Sequence, residues 1–363
     1  MKKVLFYINT LNMGGAERVM VQLTKHFSDA GWETVLVTSY PLEKEYAVSD
    51  KVKRLCLEAE QLHQSKLKRN LTRIQKLRWV CKQEKPDVMI AFMQEPNLRA
   101  VLASIGLPTK CIVSVRNDPD REYPGRLGKI VGKWILPMAD GCVFQTEDAK
   151  AWFPKRLQRK SAIIQNEVTT AFFAKERGRT GNIVTVGRLS AQKNHGLLID
   201  AFAEIAPRYP EEKLLIYGEG ACRTQLQERI AQLHMEDRVY LMGLTDNVPQ
   251  VLSEAKLFVL SSDFEGMPNC LLEAMAVGVP SISTDCPCGG PKTIIQNGEN
   301  GILVPVGNKT EMANAMDKML ADPELLKKIG RNAKESSRKF LPDAVFLQWQ
   351  TFVEQVIMKT KQT

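Results

Sequence analysis

The chain lacks the features that mark several classes of protein. No apolar run is long enough to span a bilayer, and neither a low-complexity tract nor an internal repeat of the solenoid or propeller type is present. No G-x-G-x-x-G sequence follows an apolar run, which disfavours a nicotinamide oxidoreductase. What remains, with 44% hydrophobic and 25% charged residues among 363, is an ordinary globular composition and a length sufficient for two domains.

The eight cysteines lack the spacing of metal ligands. Most lie in apolar stretches, which is the use of cysteine as a small hydrophobe in cytoplasmic proteins. Cys286 and Cys288 form a close pair, but no second Cys or His cluster completes a metal or redox site around them. The cysteines therefore predict no metal centre.

The amino terminus resembles a secretory signal only briefly. Met1-Lys2-Lys3 precedes the apolar residues Val4 to Ile8, but Asn9 and Thr10 end that run early and no cleavage site of small residues follows. We predict a first β-strand from Lys3 to Ile8 instead.

The stretch from Leu257 to Pro280 organises the second half of the chain. Its apolar run Leu257 to Leu260 predicts a strand buried on both faces of a parallel sheet. A polar turn follows, and then a helix that starts at Pro268 and Asn269 and ends before Gly278. Ligands of such sheets bind where the carboxyl end of a strand meets the amino terminus of the next helix.

Two carboxylates mark that place. Glu265 lies in the turn, and Glu273 lies inside the helix. At a rise of about 1.5 Å per helical residue they would stand roughly 10 Å apart. Carboxylates accept hydrogen bonds, so the pair could hold hydroxyl groups at two points of one polyhydroxylated ligand. The alternative is that Glu265 caps a helix and Glu273 is a solvated helix residue.

Two other loops carry residues suited to a diphosphate. Gly14 and Gly15 lie between the first strand and a helix, where backbone amides can approach a phosphate. Arg188 and Lys193 flank a turn that follows a predicted strand, and two cations at this spacing can converge on one diphosphate. The alternative is a solvated pair of cations.

Predicted strands and helices alternate along the chain, which indicates an α/β fold with two doubly wound parallel sheets. A polar segment from Lys175 to Asn182 separates the two series. The further strands are predicted at Thr34 to Thr38, Val88 to Phe92, Cys111 to Val115, Gly141 to Gln145, Ala162 to Val168, Asn182 to Val186, Leu214 to Tyr217, Val239 to Gly243, Ser281 to Asp285 and Gly298 to Val304.

Taken together, these motifs resemble the retaining glycosyltransferases of family 4. Glu265 and Glu273 match the E-x7-E signature of that family, the segment Gly187 to Lys193 matches its G-R-x-x-x-x-K loop, and Gly14 to Arg18 matches its opening loop. The resemblance implies the GT-B fold, two Rossmann-like domains facing across a cleft. Residues 1–170 would bind the acceptor and 171–340 the nucleotide sugar, and a helix in 341–363 would cross back to the first domain.

The resemblance also implies roles for individual residues. Glu265 would contact the donor sugar, Glu273 the ribose, and Arg188 and Lys193 the diphosphate in place of a metal ion. Catalysis would then rest on Glu265, Arg188 and Lys193. The full donor-binding set would be Gly14, Gly15, Arg188, Lys193, Glu265, Gly266, Met267, Pro268, Asn269 and Glu273. No cofactor is implied, because the nucleotide sugar, which we predict to be a UDP-sugar, is a substrate.

Asp118 and Asp120 form a D-x-D sequence, which binds a metal in the other large glycosyltransferase fold. That fold is a single domain and would not need the second series of strands and helices. We therefore expect Arg116, Asn117 and Asp118 to form a polar loop on the acceptor side, with a solvated turn as the alternative. Family members often carry a histidine in this region, and this chain has none there.

The net charge of +9 suggests a polyanionic partner, which could be nucleic acid, anionic lipid or a phosphorylated ligand. Two stretches combine cations with apolar residues at helical spacing, and each Lys or Arg near an anionic membrane contributes about 1 kcal/mol. The alternative is a surface helix whose apolar stripe packs in the core. The first stretch contains Lys66, Lys68, Arg69, Arg73, Lys76, Arg78, Lys82 and Lys85 with Leu67, Leu71, Ile74, Leu77, Val80 and Cys81, and the second contains Arg126, Lys129 and Lys133 with Leu127, Ile130, Val131, Trp134 and Ile135.

We therefore predict a peripheral enzyme on the cytoplasmic face of the plasma membrane, with no nucleic-acid partner. It would transfer a hexose or N-acetylhexosamine from the nucleotide sugar to a lipid-linked or polysaccharide precursor in cell-surface glycan synthesis, with retention of configuration. A nucleotide-sugar epimerase or hydrolase of the same fold and a non-catalytic sugar-binding protein are the alternatives. A glycosidase using Glu265 and Glu273 would fit only inverting chemistry.

Overall fold

The computed structural model describes residues 1–12, 14–59, 65–173 and 181–358. The chain divides into two compact units, one formed by Met1–Glu167 with Asp343–Thr363 and the other by Val168–Pro342. The predicted linker from Lys175 to Asn182 lies mostly outside the described residues.

A seven-stranded sheet forms the centre of the first unit. Its strands are β1 (Lys3–Ile8), β2 (Glu33–Thr38), β3 (Lys53–Cys56), β4 (Val88–Phe92), β5 (Lys110–Ser114), β6 (Gly141–Phe144) and β7 (Ser161–Ile163). The strand order is β3-β2-β1-β4-β5-β6-β7, and each of these pairings is parallel. Parallel neighbours need crossover connections, and helices supply most of them; β2 and β3 are joined by residues 39–52, which form no helix.

Helices pack on both faces of this sheet, so its central strands are buried on both sides. The helices between the strands are α1 (Gly15–Asp29), α2 (Lys66–Glu84), α3 (Gln94–Ser104), α4 (Pro119–Glu122), α5 (Gly125–Ile130), α6 (Glu147–Ala151) and α7 (Lys155–Gln158). On β1, Val4, Phe6 and Ile8 share one core cluster with residues of α1 and of the carboxyl-terminal helix Pro342–Met358. On the opposite face, the Tyr7 hydroxyl contacts Arg99 of α3.

The second unit repeats this architecture with six strands. They are β8 (Ile183–Val186), β9 (Leu214–Tyr217), β10 (Val239–Gly243), β11 (Leu257–Leu260), β12 (Ser281–Thr284) and β13 (Ile302–Val304). The order is β10-β9-β8-β11-β12-β13, again in parallel pairs. The strand order reverses between β8 and β11, and ligands of doubly wound sheets bind at such a point. The helices of this unit are α8 (His195–Ile205), α9 (Arg223–Gln232), α10 (Val248–Ser253), α11 (Asn269–Val277), α12 (Gly290–Ile294), α13 (Lys309–Ala321) and α14 (Pro323–Ser336).

The prediction of two doubly wound parallel sheets is confirmed, with local corrections. The strand predicted at Gly298 to Val304 begins only at Ile302, and the one predicted at Ala162 to Val168 is limited to Ser161–Ile163. Strand β3 was not predicted, because its sequence, Lys-Arg-Leu-Cys, is short and mostly exposed at the edge of the sheet.

The first basic stretch forms α2, and its apolar residues are divided between the core and the surface. Leu77, Val80 and Cys81 are buried, whereas Leu67 and Leu71 are 72% and 54% exposed. The side chain of Lys66 and all of residues 60–64 lie outside the described part of the chain.

One of the predicted surface cations of α2 is buried instead. The Arg73 guanidinium donates two hydrogen bonds, of 2.9 and 2.7 Å, to the carboxylate of Glu58, which is also buried. This pair anchors α2 to the segment after β3 and removes one cation from the basic face.

The second basic stretch forms α5 and a π-helical turn, Val131–Ile135, followed by a 3-10 turn, Leu136–Met138. The buried side of this stretch includes two glycines. A Cβ atom on Gly128 would overlap the backbone of Tyr123, and one on Gly132 would meet the ring of Trp152 at 2.6 Å. The interleaved apolar residues Leu127 and Trp134 consequently face outward. The alternative, in which the apolar stripe packs in the core, is therefore wrong for Leu127 and Trp134.

No helix within the described ranges is both long and apolar enough to cross a bilayer.

Candidate active site

The central stretch of the second unit forms the predicted strand, loop and helix. All four residues of β11 are buried, and α11 ends at Gly278, whose left-handed φ of 87° suits a glycine cap. Pro268 precedes the helix, and Asn269 is its first residue. Gly266, Met267 and Pro268 are buried in the loop between β11 and α11, and Asn269 is half-buried.

Glu265 and Lys193 form an ion pair. The Lys193 ammonium lies 2.7 Å from Oε1 of Glu265, and the Ser262 hydroxyl donates a second hydrogen bond of 2.7 Å to the same oxygen. Both charged residues are largely buried. Two residues that the sequence analysis assigned to the diphosphate and to the sugar are thus direct neighbours. The alternative of a solvated cation is excluded for Lys193.

The charge of Lys193 is maintained by this neighbour. Burial by itself would lower the pKa of Lys193, but the negative charge of Glu265 outweighs it and raises the pKa above its ordinary value. Lys193 is therefore protonated throughout the physiological range. Because Lys193 and Ser262 both contact Oε1, neither of them occupies the second oxygen, Oε2, of Glu265.

The loops that carry Lys193 and Glu265 are tied to each other at several points. The Gln192 amide group donates to the carbonyl of Phe264 at 2.9 Å, and that of Asn194 donates to the Asp263 carboxylate at 2.8 Å. In the reverse direction, the Ser261 hydroxyl donates to the carbonyl of Lys193 at 2.9 Å. The carboxyl ends of β8 and β11 therefore carry one connected polar structure at the point where the strand order reverses.

Arg188 differs from Lys193 in its surroundings. Its side chain is exposed and has no carboxylate partner among the described residues, so its guanidinium is available for a ligand. The loop that holds it rests on the turn after β9. Gly218 has a φ of 142°, and a Cβ atom there would overlap the carbonyl oxygen of Gly187. This glycine therefore permits a close approach between the two loops.

The segment that contains Cys286 and Cys288 also holds Glu265 in place, through two backbone hydrogen bonds. Its backbone N–H donates to the carbonyl of Pro287 at 2.7 Å, and the N–H of Cys288 donates to the Glu265 carbonyl at 3.0 Å. Burial raises the pKa of the Cys286 thiol to about 12, so it is not a reactive thiolate at neutral pH. Within the described residues, no group of three His, Cys, Asp or Glu side chains is placed to hold a metal ion.

His195 starts α8, and Asn194 caps the helix by accepting from the N–H of Leu197. The imidazole is buried, and neither ring nitrogen has a hydrogen-bonding partner of good geometry among the described residues. Burial, followed by the charge of Lys193, lowers the pKa of His195 to about 4, although the backbone of Arg188 and Gly187 opposes this shift. His195 is therefore neutral and adds no third cation to the site.

Glu273 is buried within α11, so the alternative of a solvated helix residue is wrong. A buried carboxylate needs partners or a ligand to compensate for its lost hydration. Its proposed contact with a ribose remains a prediction.

Gly14 and Gly15 lie in the first unit, at the carboxyl end of β1. Gly14 is the residue before α1, with an extended backbone, and Gly15 is the first residue of the helix. The carboxylate of Glu17 folds back against Gly14. A phosphate at this helix end would therefore meet a carboxylate as well as the amides.

The polar loop after β5 is more ordered than a solvated turn. Asp118 caps α4 by accepting from the N–H of Asp120 at 3.2 Å, and Asp120 accepts from the Trp152 indole at 2.8 Å. Both carboxylates thus have structural partners. The Arg116 guanidinium lies over the ring of Phe92, 4.5 Å from its centroid.

Glu122 in this loop was missed by the sequence analysis. Its Oε2 accepts from the N–H groups of Arg116 and Asn117 at 3.3 and 3.2 Å, so it shapes the turn at the end of β5. Burial raises the pKa of Glu122 to about 7, although the two N–H donors and the charge of Arg116 oppose the shift. A buried Nη1 of Arg116 and a buried Oε1 of Glu122 have no partner among the described residues. The sequence signal was limited to a Glu six residues after an Arg in a polar loop.

Comparisons with known proteins agree with this arrangement. Residues 13–172 match the family described as glycosyltransferase family 4, and residues 169–336 match the one described as glycosyl transferases group 1. The chain is 26% identical over 365 residues to an α-1,4-N-acetyl-D-galactosaminyltransferase of Campylobacter jejuni that is named for an undecaprenol-diphosphate-linked substrate, covering 98% of this chain and 99% of that protein. It is 29% identical over 280 residues to an exopolysaccharide phosphotransferase of Streptomyces coelicolor, covering 75% of this chain but spanning only 29% of that protein.

Solved structures show the same fold. Sucrose-phosphate synthase from Thermosynechococcus elongatus superposes with a TM-score of 0.85 at 20% identity, covering 98% of this chain and 99% of that one. HepE from Anabaena, crystallised with UDP and glucose, superposes with a TM-score of 0.80 at 19% identity, covering 98% and 100%. The two family matches together run from residue 13 to residue 336, and the chain belongs to the family 4 glycosyltransferases, with the GT-B fold.

Proposed function

We propose that this enzyme transfers a hexose or N-acetylhexosamine from a UDP-sugar to a lipid-linked or polysaccharide precursor in cell-surface glycan synthesis, with retention of anomeric configuration. The observation that carries the proposal is the group formed by Lys193, Glu265 and Arg188 at the carboxyl ends of β8 and β11. It combines a permanently charged ammonium, an exposed guanidinium and a carboxylate whose Oε1 is held by Lys193 and Ser262.

These groups match the parts of a nucleotide sugar. The exposed guanidinium of Arg188 binds the diphosphate through paired N–H donors, and the Lys193 ammonium lies beside it as a fixed positive charge. The Oε2 atom of Glu265 accepts a hydrogen bond from a sugar hydroxyl. The buried Glu273, on the helix that follows, holds the ribose hydroxyls.

The chemistry then depends on the departing diphosphate. As the bond between the anomeric carbon and the phosphate oxygen breaks, negative charge grows on the diphosphate. The acceptor oxygen bonds to the anomeric carbon, and its proton passes to the departing phosphate oxygen. Arg188 and Lys193 are already in place to stabilise that charge, which is the usual origin of a large rate enhancement. No metal ion is required in this scheme, because the two cations perform its role.

The names of the compared proteins support the choice of donor and acceptor. HepE was crystallised with UDP and glucose, and the Campylobacter jejuni transferase is named for a substrate built on undecaprenol diphosphate. A lipid-linked acceptor of this kind would lie at a membrane surface. The exposed Leu67, Leu71 and Trp79 on α2 suit a peripheral position at the cytoplasmic face of the plasma membrane, together with the exposed cations Lys68 and Lys76 on the same helix.

The proposal is tested by incubating the enzyme with labelled UDP-sugars and GDP-sugars and a lipid extract of bacterial membranes. We expect label from one UDP-sugar to enter the organic phase with wild type and not with Glu265→Ala. Glu265→Gln serves as the matched variant that keeps the size of the side chain while removing its charge, and it should also lose transfer.

Other outcomes would replace the proposal. Release of free sugar or of an epimer without a lipid product would indicate the hydrolase or epimerase alternative. Binding of a UDP-sugar without turnover under any acceptor condition would indicate a sugar-binding protein. The configuration of the product, read from the anomeric coupling constant by NMR, decides whether it is retained.

A further inference from the structure

The first unit carries an apolar groove that the transfer reaction does not use. It lies along α5 and the π-helical turn, has a volume of about 570 Å³, and we call it the outer groove. Ile130, Trp134, Pro137 and Pro154 form its apolar walls, and Lys129, Lys133 and Arg156 complete its lining.

Most of the apolar residues along the outer groove lie outside the core of the unit, although Pro137 is buried. The inward side of this segment is taken by Gly128 and Gly132, which sit directly against Tyr123 and Trp152. Leu127 and Trp134 are consequently 79% and 76% exposed. Large apolar side chains clustered on a surface, with no packing role inside, mark a site of interaction.

The charge around the outer groove decides what kind of partner fits. Its lining contains three cations and no carboxylate. Arg126, on the same helix, adds another exposed cation at its edge. An apolar groove edged by cations is complementary to an anionic headgroup above hydrocarbon chains, with tryptophan at the level between them.

We infer that the outer groove is a docking surface for an anionic lipid bilayer, with Leu127 and Trp134 inserted among the acyl chains and Arg126, Lys129 and Arg156 at the headgroups. This inference rests on the proposed function and deepens it, because it specifies which part of the first unit meets the membrane. The outer groove is then a second membrane contact, separate from α2. It exists because Gly128 and Gly132 take the inward side of the segment and leave its large apolar side chains outside.

The test measures sedimentation of the full-length protein with vesicles of phosphatidylcholine alone and with vesicles that contain about one third phosphatidylglycerol. We expect wild type to bind the anionic vesicles, and the double variant Leu127→Ala/Trp134→Ala to bind them at least about tenfold more weakly. Leu347→Ala is the matched control, since Leu347 is also an exposed leucine of this unit but lies on the carboxyl-terminal helix. Lys133 is left unchanged because its ammonium donates to the carbonyl of Trp152 at 2.9 Å.

A second pair of variants tests the charges. Arg126→Gln/Lys129→Gln should remove most of the preference for anionic over neutral vesicles. Lys318→Gln/Lys328→Gln, which removes the same charge from exposed positions on α13 and α14, should retain it. An unfolding temperature equal to that of wild type would establish that the fold of each variant is intact.

The outcomes separate the docking surface from the proposed function. Undiminished binding of anionic vesicles by Leu127→Ala/Trp134→Ala would overturn the inference. If the wild type is a dimer and this variant is a monomer that binds vesicles as well as the wild type does, the groove is an interface between copies of the chain, and the inference is also wrong. Sugar transfer to acceptor dissolved in detergent should be unaffected in all of these variants. Loss of vesicle binding by the groove variant would support the docking surface even if no acceptor were glycosylated, and in that case only the proposed function would fail.

Discussion

At the scale of single residues, the defining feature is the contact between Lys193 and Glu265. The sequence predicted both residues and the loops that carry them, but it assigned them to different parts of the ligand. They are 72 positions apart, and only the parallel arrangement of β8 next to β11 brings them together. Ser262 could not be recognised either, because its role depends on the direction of one hydroxyl.

The two predicted diphosphate cations should differ in their effect on stability. Arg188 is exposed, so Arg188→Ala should change the free energy of unfolding by no more than about 0.5 kcal/mol while lowering kcat at least about 100-fold. Lys193→Ala leaves Glu265 buried without its partner, and should cost about 3 to 5 kcal/mol as well as activity. Urea unfolding and steady-state transfer rates measure both effects. Equal destabilisation by the two substitutions would contradict the ion pair described here.

Glu122 should make stability depend on pH. Its pKa in the folded protein is raised to about 7 from an ordinary value of 4.5, so the folded state retains a proton that the unfolded state releases between these values. The contribution of Glu122 to the unfolding free energy should therefore be largest below about pH 4.5. It should fall by up to about 3 kcal/mol as the pH rises to 7. Glu122→Gln should flatten this part of the profile. An identical slope for both proteins between pH 5 and 7 would show that Glu122 is not the group responsible.

At the scale of secondary structure, the sequence was informative where burial is complete. Strands β4 and β11 are buried along their whole length, have continuous apolar sequences and were predicted to the residue. For the α5 segment, the amphipathic pattern alone did not reveal which side faces the core. Gly128 and Gly132 decide this, since only glycine allows the helix backbone to approach Tyr123 and Trp152 so closely.

The close approach at Gly218 can be tested in the same way. Gly218→Ala would place a Cβ atom on the carbonyl of Gly187 and push the loop of Arg188 and Lys193 away, so we expect a loss of about 1 to 3 kcal/mol in stability together with loss of transfer. Gly298→Ala is the matched control in the same unit. Gly298 also has a positive φ, of 81°, but no atom lies within 4 Å of the Cβ that alanine would add. The substitution should therefore lower stability by about 1 to 2 kcal/mol and leave the transfer rate unchanged. Equal transfer rates for the two variants would show that the contact does not position the loop.

At the scale of the whole molecule, the fold could be predicted because each unit repeats one simple rule. Apolar strands buried on both faces alternate with helices, and polar loops carry the functional groups at the carboxyl ends of the strands. The sugar, the acceptor and the linkage are not encoded so simply. They depend on the detailed shape of binding surfaces, which no sequence pattern encodes.

The scheme predicts that the whole enzyme works without a divalent cation. Asp118 and Asp120 contact a helix end and Trp152, and in the proposed scheme Arg188 and Lys193 stabilise the diphosphate in place of a metal ion. Excess EDTA should therefore leave the transfer rate within about twofold of its starting value, whereas a metal-dependent enzyme would lose nearly all activity. Restoration of a lost rate by added Mg²⁺ or Mn²⁺ would reopen the D-x-D assignment.

The most direct test of the diphosphate site is the affinity for UDP, measured by titration calorimetry with GDP in parallel. The variant Lys193→Met/Glu265→Leu replaces the buried ion pair by apolar residues of similar size, which should preserve the fold. We predict that wild type binds UDP and that this variant, with an unchanged unfolding temperature, binds it at least about 100-fold more weakly. A folded variant that binds UDP with the wild-type dissociation constant would contradict the account.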